Sequence, residues 1–212
     1  MVKKVFIVLT GIDGSGKTTH AVSLSKELQR ETINSIYFRP RGITIIPTFL
    51  RGLLKSYPNL SPRNVAMSKK ADNFSGRNIL RALFLTIPFW IYALIVYYAW
   101  IRPLRSKKVV ICDRYFFDWF YNLWGNASIA LTHLLPKPDI VFLLDVPVNI
   151  AFSRMHSIAD KQISLSYYES LRCWYLMLAK QQGFFIVDST GDFKDVKGII
   201  EKLVMRMLRG GS

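Results

Sequence analysis

The passage VFIVLTGIDGSGKTTHAVSLSKELQR, residues 5–30, constrains this chain more than any other. VFIVLT is uncharged and rich in β-branched residues, and it reads as a buried strand. In TTHAVSLSKELQR, Ala21, Leu24 and Leu28 recur at helical spacing, so a helix follows. Between the two, Gly11 to Thr18 fit G-x-x-x-x-G-K-[ST] without a mismatch. A loop of this kind, opening a helix, wraps a phosphate chain with its backbone N–H groups. The expected cradle is Gly11, Ile12, Asp13, Gly14, Ser15, Gly16, Lys17, Thr18 and Thr19. Lys17 is spaced to reach the β- and γ-phosphates, and the Thr18 hydroxyl to ligate Mg²⁺. The bland alternative is a glycine-rich turn whose lysine is merely solvated. Strand, loop and helix agree with the phosphate reading, which makes ATP and Mg²⁺ the expected cofactors. What receives the phosphate is a separate question.

The rest of the chain alternates in the same way. Strands are expected at 5–9, 35–38, 109–112, 140–144 and 184–187. Helices are expected at 17–30, 48–55, within 68–101, and at 148–155, 166–182 and 196–209. Short apolar strands alternating with helices imply an α/β fold, a parallel sheet covered by helices on both faces. A chain of 212 residues suits one such domain, and no internal repeat interrupts it. The stretch from Pro40 through Pro47, Pro58 and Pro62 reads as a loop-rich insertion near the site.

Charge and cysteine content narrow the classes further. The formal net charge is +15, from 29 basic and 14 acidic residues, which suggests an anionic ligand or surface. The basic residues are dispersed, so a solvated face with phosphate-handling arginines is expected, and no nucleic-acid partner. Cys112 and Cys173 are too few for a disulfide framework and lack metal-ligand spacing. The chain starts MVKKVFIVLTGIDG and runs straight into the loop, so no cleaved leader and a cytoplasmic location are expected.

One segment resists that location. Between Arg81 and Arg102, ALFLTIPFWIYALIVYYAWI carries no charge and passes as a membrane span by length and hydropathy. Yet KVVICDRY downstream holds another buried strand, and a single crossing would divide one sheet between two compartments. The run is also too short to cross and return. The expectation is a long helix, kinked or started near Pro88, covered by the core and by a second copy in a homodimer. Peripheral membrane contact is the minority reading.

Two further motifs carry a resemblance. In VVICDRYFFD, Asp113 and Arg114 follow a strand at its carboxyl end, where open α/β sheets bind ligands. In PDIVFLLDVPVNIAFSRM, a strand runs into Asp145, Pro147 and a new helix. With GIDGSGKTT, and with the late VDST segment, these resemble the thymidylate kinase family of P-loop nucleoside monophosphate kinases. The resemblance is specific at 5–20, 108–118 and 138–155 and vague between 42 and 100. It implies a three-layer P-loop kinase fold, a five-stranded parallel sheet with helices on both faces and a short lid about 154–163. It also implies phosphorylation of a deoxynucleoside monophosphate, dTMP by default, and a homodimer that meets through helices.

Residue roles follow from the same likeness. Gly14, Gly16, Lys17 and Thr18 would hold the ATP phosphates. Asp13 and Asp113 would face the transfer zone, Asp113 with Thr18 in the Mg²⁺ shell. Arg114 would grip the acceptor's phosphate. Arg39 matches a phosphate-gripping arginine in a segment written here YFRPRGIT, which leaves Arg41 as a rival. Arg154 and Lys161 in RMHSIADKQ would cover the phosphates, with His156 where a second arginine is common. Phe84 could stack on a base, but the charged pair expected beside it is absent unless Arg77 or Arg81 substitutes. Physics alone asks for such arginines, because an acceptor that already bears a phosphate is best held by planar guanidinium forks. A different small acceptor, phosphorylated or apolar, and a non-catalytic nucleotide module at a membrane surface are the competing readings.

Overall fold

The computed structural model describes residues 4–40, 76–155 and 163–210. Among these, β1 (Phe6–Thr10), β2 (Ser35–Phe38), β3 (Val109–Asp113), β4 (Ile140–Asp145) and β5 (Phe185–Asp188) form one sheet. The strand order is β2-β3-β1-β4-β5 and every pairing is parallel. Parallel neighbours require a crossover, so helices must lie on the faces of the sheet.

Alternation along β1 shows how both faces are covered. Ile7 and Leu9 join a core with Ala21, Leu24 and Leu28 of α1 (Lys17–Arg30) and Val196, Ile200 and Val204 of α8 (Phe193–Leu208). Phe6 and Val8 face the opposite core. That core is built by α2 (Gly76–Val96), α4 (Phe117–Trp124), α6 (Val148–Ser153) and α7 (Leu165–Gln182). The three-layer α/β arrangement expected from the sequence is therefore present. All five strands fall where the sequence places them, within a residue at each end.

Helices were harder to read. The expected helix 48–55 lies outside the described residues. α4 and the short α5 (Ser128–Thr132) lie outside the expected helices: both are short, and the aromatic residues that fill α4 favour strands as readily as helices. α2 runs through Pro88 instead of starting there. It continues by a π turn, Tyr97–Ile101, into α3 (Arg102–Arg105). That turn carries one extra residue per loop of backbone and lets Ile101 face the core, fully buried.

Burial separates structural positions from tolerant ones. Phe142 is fully buried at the middle of β4 and lies 5.8 Å, ring to ring, from Phe185. Phe142→Ala is expected to cost about 3–5 kcal/mol through lost transfer energy and an unfilled cavity. Ile199→Ala, on the outer face of α8 and 48 % exposed, should change stability by less than about 0.5 kcal/mol. Urea unfolding of the two variants checks the contrast.

Candidate active site

The loop between β1 and α1 has the backbone its sequence demands. Gly14 (φ 81°) and Gly16 (φ 85°) sit in the left-handed region, where a side chain is strained. A Cβ on Gly14 would meet the Ala151 carbonyl oxygen at 2.1 Å, and one on Gly11 the Leu144 carbonyl oxygen at 2.6 Å. Gly16 caps α1 without any side-chain hydrogen bond, and no acidic residue occupies the first turn. The helix thus presents its N-terminal donors and the positive end of its dipole to an anion. Lys17 is buried, its ammonium donating to the Ile12 carbonyl and to Ser15 Oγ at 3.3 Å.

Register then brings in the second element. β3 pairs with β1 so that Asp113 lies opposite Leu9, at the edge from which the loop departs. Asp113 Oδ2 accepts hydrogen bonds from the Thr18 hydroxyl at 2.7 Å and the Tyr37 hydroxyl at 2.9 Å. Arg39 Nε stands 3.9 Å from the same oxygen. Oδ1 is buried and has no hydrogen-bond partner among the described residues. A buried, unpartnered carboxylate oxygen beside a threonine hydroxyl fits a hard cation. No group of three or more His, Cys, Asp or Glu forms a metal cage among the described residues. A divalent ion here would therefore take most ligands from phosphate and water, as Mg²⁺ does. Burial, and next the bond to Asp113, push the Tyr37 hydroxyl up to about 12, which keeps it a neutral donor.

Arg114 follows Asp113 in an unusual conformation. Its φ of 68° is left-handed, which costs a residue with a Cβ about 1–2 kcal/mol. The N–H still donates to the Leu9 carbonyl at 2.9 Å, so the turn is anchored. The guanidinium pairs with Asp13 of the phosphate loop and lies 3.9 Å from Asp118 of α4. Strain held in place at a strand end beside an ion pair points to function.

The opposite rim is built by the segment after β5. Ser189 Oγ donates to the Ser15 carbonyl at 2.9 Å, and the Ser189 N–H donates to the Asp145 carbonyl at 2.8 Å. Arg154 donates from Nη1 to the Ser189 carbonyl at 2.7 Å and from Nη2 to the Thr190 carbonyl at 3.0 Å. Arg172 grips Asp145 bidentately, at 2.7 and 2.8 Å, and so ties α7 to the end of β4. Beneath this rim the His20 ring stacks on Phe193, centroids 4.8 Å apart.

The structure brings Lys17, Thr18, Asp13, Asp113, Arg114 and Arg39 together. Arg154 belongs to the far rim, held by two backbone carbonyls. Arg41, Lys161 and His156 lie outside the described residues. Phe84 sits on the outward side of α2, and no aromatic ring among the described residues packs against it. Sequence reasoning missed Tyr37, Arg172 and Ser189. For Tyr37 a signal existed: SIYF alternates, which places Tyr37 on the opposite face from Ile36 and Phe38.

A phosphate loop at a strand–helix junction, facing a buried carboxylate and two arginines, defines a P-loop phosphotransferase. The model of the family described as Thymidylate kinase matches residues 9–83 and 91–200. The chain belongs to that family, and it is a phosphotransferase of the nucleoside monophosphate kinase type. Curated relatives span nearly all of it. A thymidylate kinase of Thermosipho melanesiensis is 29% identical, covering 96% of this chain and 99% of its own length. A probable thymidylate kinase of Pyrococcus horikoshii is 27% identical over 97% and 98%. Probable thymidylate kinase 1 of Saccharolobus solfataricus is 27% identical over 95% and 97%.

His20 links this rim to pH. Burial, and then the Arg154 charge, lower its pKa below the ordinary 6.5. The unfolded chain therefore binds a proton at mildly acid pH that the folded chain refuses, and stability falls as pH drops from 6.5. His20→Phe keeps the stack and removes the titration. Its urea midpoint is expected to decline less than that of the wild type between neutrality and about pH 5.

Proposed function

We propose that the protein transfers the γ-phosphoryl group of ATP to dTMP, giving dTDP for dTTP biosynthesis. The observation that carries this reading is the juxtaposition of the phosphate loop with Asp113 and the strained Arg114, within a chain of the thymidylate kinase family. Names of relatives supply the choice of dTMP; the geometry supplies the reaction type. The enzyme is proposed to work in the cytoplasm, with ATP as the phosphoryl donor.

Phosphoryl transfer asks little covalent chemistry of the protein; it asks for alignment and for charge opposite the transferring oxygens. Lys17 and the α1 N-terminus hold the donor's phosphates. Thr18 and Asp113 would hold Mg²⁺, which would supply positive charge opposite the donor's phosphates. Tyr37 keeps the Asp113 carboxylate oriented through its bond to Oδ2. Arg114, released from Asp13 as the acceptor enters, grips the acceptor's phosphate, and Arg39 closes from the β2 side. Arg154 holds the Ser189 rim in place against the loop.

Coupled ADP release with a panel of nucleoside monophosphates tests the acceptor. Turnover with dTMP well above the other monophosphates is expected, and activity with another acceptor alone would overturn the choice. Lys17→Ala is expected to abolish turnover in a folded protein, since the charge facing the γ-phosphate is gone. Arg114→Ala should lower turnover about a hundredfold or more while ATP affinity stays near that of the wild type. Arg114→Lys should rescue little, because a point charge cannot copy a planar fork. Calorimetric ATP binding beside acceptor KM separates these roles.

A further inference from the structure

α4 carries two strongly polar side chains in an otherwise aromatic helix. In FDWFYNLW, Asp118 and Asn122 stand one turn apart on the same face, and both are buried. A carboxylate taken out of water costs free energy unless a charge meets it. For Asp118 the Arg114 guanidinium supplies that charge. Nη1 of Arg114 lies 3.9 Å from Asp118 Oδ2, while Nη2 pairs with Asp13. One guanidinium, its side chain only 16% exposed, therefore sits between two carboxylates, one on the phosphate loop and one on α4.

α7 backs the helix that carries Asp118. Tyr121 of α4 packs on Trp174 of α7 with ring centroids 5.2 Å apart. The Tyr167 hydroxyl donates to Asn122 Oδ1 at 2.7 Å, one turn beyond Asp118. Burial, and then the Asp118 charge, push that hydroxyl far above its ordinary pKa, so it stays a neutral donor. Asp118 is thus fixed from behind, whereas Asp13 belongs to a loop that must accommodate a triphosphate.

The two carboxylates differ in what happens to them during turnover. In the reaction proposed above, Arg114 leaves Asp13 for the acceptor's phosphate. An arginine freed from its partner regains rotamer freedom, which must be lost again when it grips. Asp118 limits that freedom. It meets the Nη1 side of the fork, so Nη2 and Nε stay available for a bidentate contact with phosphate. At 3.9 Å it stands at ion-pair range yet beyond a hydrogen bond. A guanidinium that swings off Asp13 can close that gap without leaving the site. The left-handed backbone of Arg114 sets where the side chain starts, and Asp118 sets where it ends. A plainer role for Asp118 exists, because it lies in the first turn of α4, where a negative charge meets the positive end of the helix dipole. That role alone predicts an effect on stability and none on kinetics.

We propose that Asp118 is a positioning residue for phosphoryl transfer, holding the Arg114 guanidinium in place when it leaves Asp13 for the acceptor's phosphate. This rests on Arg114 as the grip on that phosphate and deepens that reading.

Nitrogen NMR of the Arg114 guanidinium tests the hold without any substrate. Separate Nη signals, the mark of hindered rotation, are expected to persist in Asp13→Asn and to merge when Asp118→Asn is added. Steady-state kinetics test the purpose of the hold. Asp118→Asn and Asp118→Ser should each lower turnover with dTMP about tenfold while calorimetric ATP affinity stays unchanged. Asp118→Glu, which keeps the charge and reaches farther, should return turnover to within about threefold of the wild type. In an Arg114→Ala background, Asp118→Asn should cost nothing more. Merged signals in Asp13→Asn alone would overturn the proposal. So would full turnover in both neutral variants with only a lower urea midpoint, or equal losses with and without Arg114. A wild type that phosphorylates no monophosphate would fail the kinase reading instead, and the NMR result would still decide whether Asp118 holds Arg114.

Discussion

The pairing of β1 with β3 places a fully buried carboxylate, Asp113, beside the mouth of the phosphate loop, and the rest of the site is arranged around that charge. A carboxylate removed from water is costly unless donors satisfy it. Here Thr18 comes from α1, Tyr37 from β2 and Asp113 from β3, so one oxygen ties three elements together. A slip of one residue in that register would turn Asp113 to the other face of the sheet. Both apolar cores therefore act on catalysis as well as on stability, because they hold the register.

Around this centre the charges are held in pairs that a substrate could exchange. Arg114 is engaged by Asp13, a residue of the loop itself, in a backbone conformation that aims it back across the site. Arg39, about half exposed, reaches only 3.9 Å toward Asp113. Such an arrangement keeps guanidinium groups near the transfer zone without leaving them unpaired in a partly desolvated space. On the other side, Ser189 and Arg154 close the rim through backbone carbonyls, which fixes its shape without adding charge of their own to the acceptor side.

α2 has two unlike faces. Its inner face covers the sheet and packs on α4, directly after the Asp113–Arg114 turn. Its outer face exposes Phe84, Ile87, Ile91 and Ile95. The family match is interrupted at 84–90, where this outer stripe begins.

The sequence by itself determined the phosphate loop, the strand positions and the layered α/β plan. Each of these is written in local chemistry: glycine where φ is positive, apolar runs of strand length, Lys-Thr opening a helix. Asp113 and Arg114 were legible for the same reason, standing at the end of an apolar strand. Only the tertiary structure decided which side chains meet. Tyr37 reaches Asp113, Arg172 reaches Asp145, and Ser189 reaches Ser15 across separations of 76, 27 and 174 residues. Arg154, expected over the phosphates, donates here to the Ser189 and Thr190 carbonyls, 35 and 36 residues away. For the run 82–101 composition could not tell a core helix from a surface one, because an apolar residue carries no mark of the direction it faces. That direction is set by the packing of α2 on the sheet, which buries one side and leaves the other exposed.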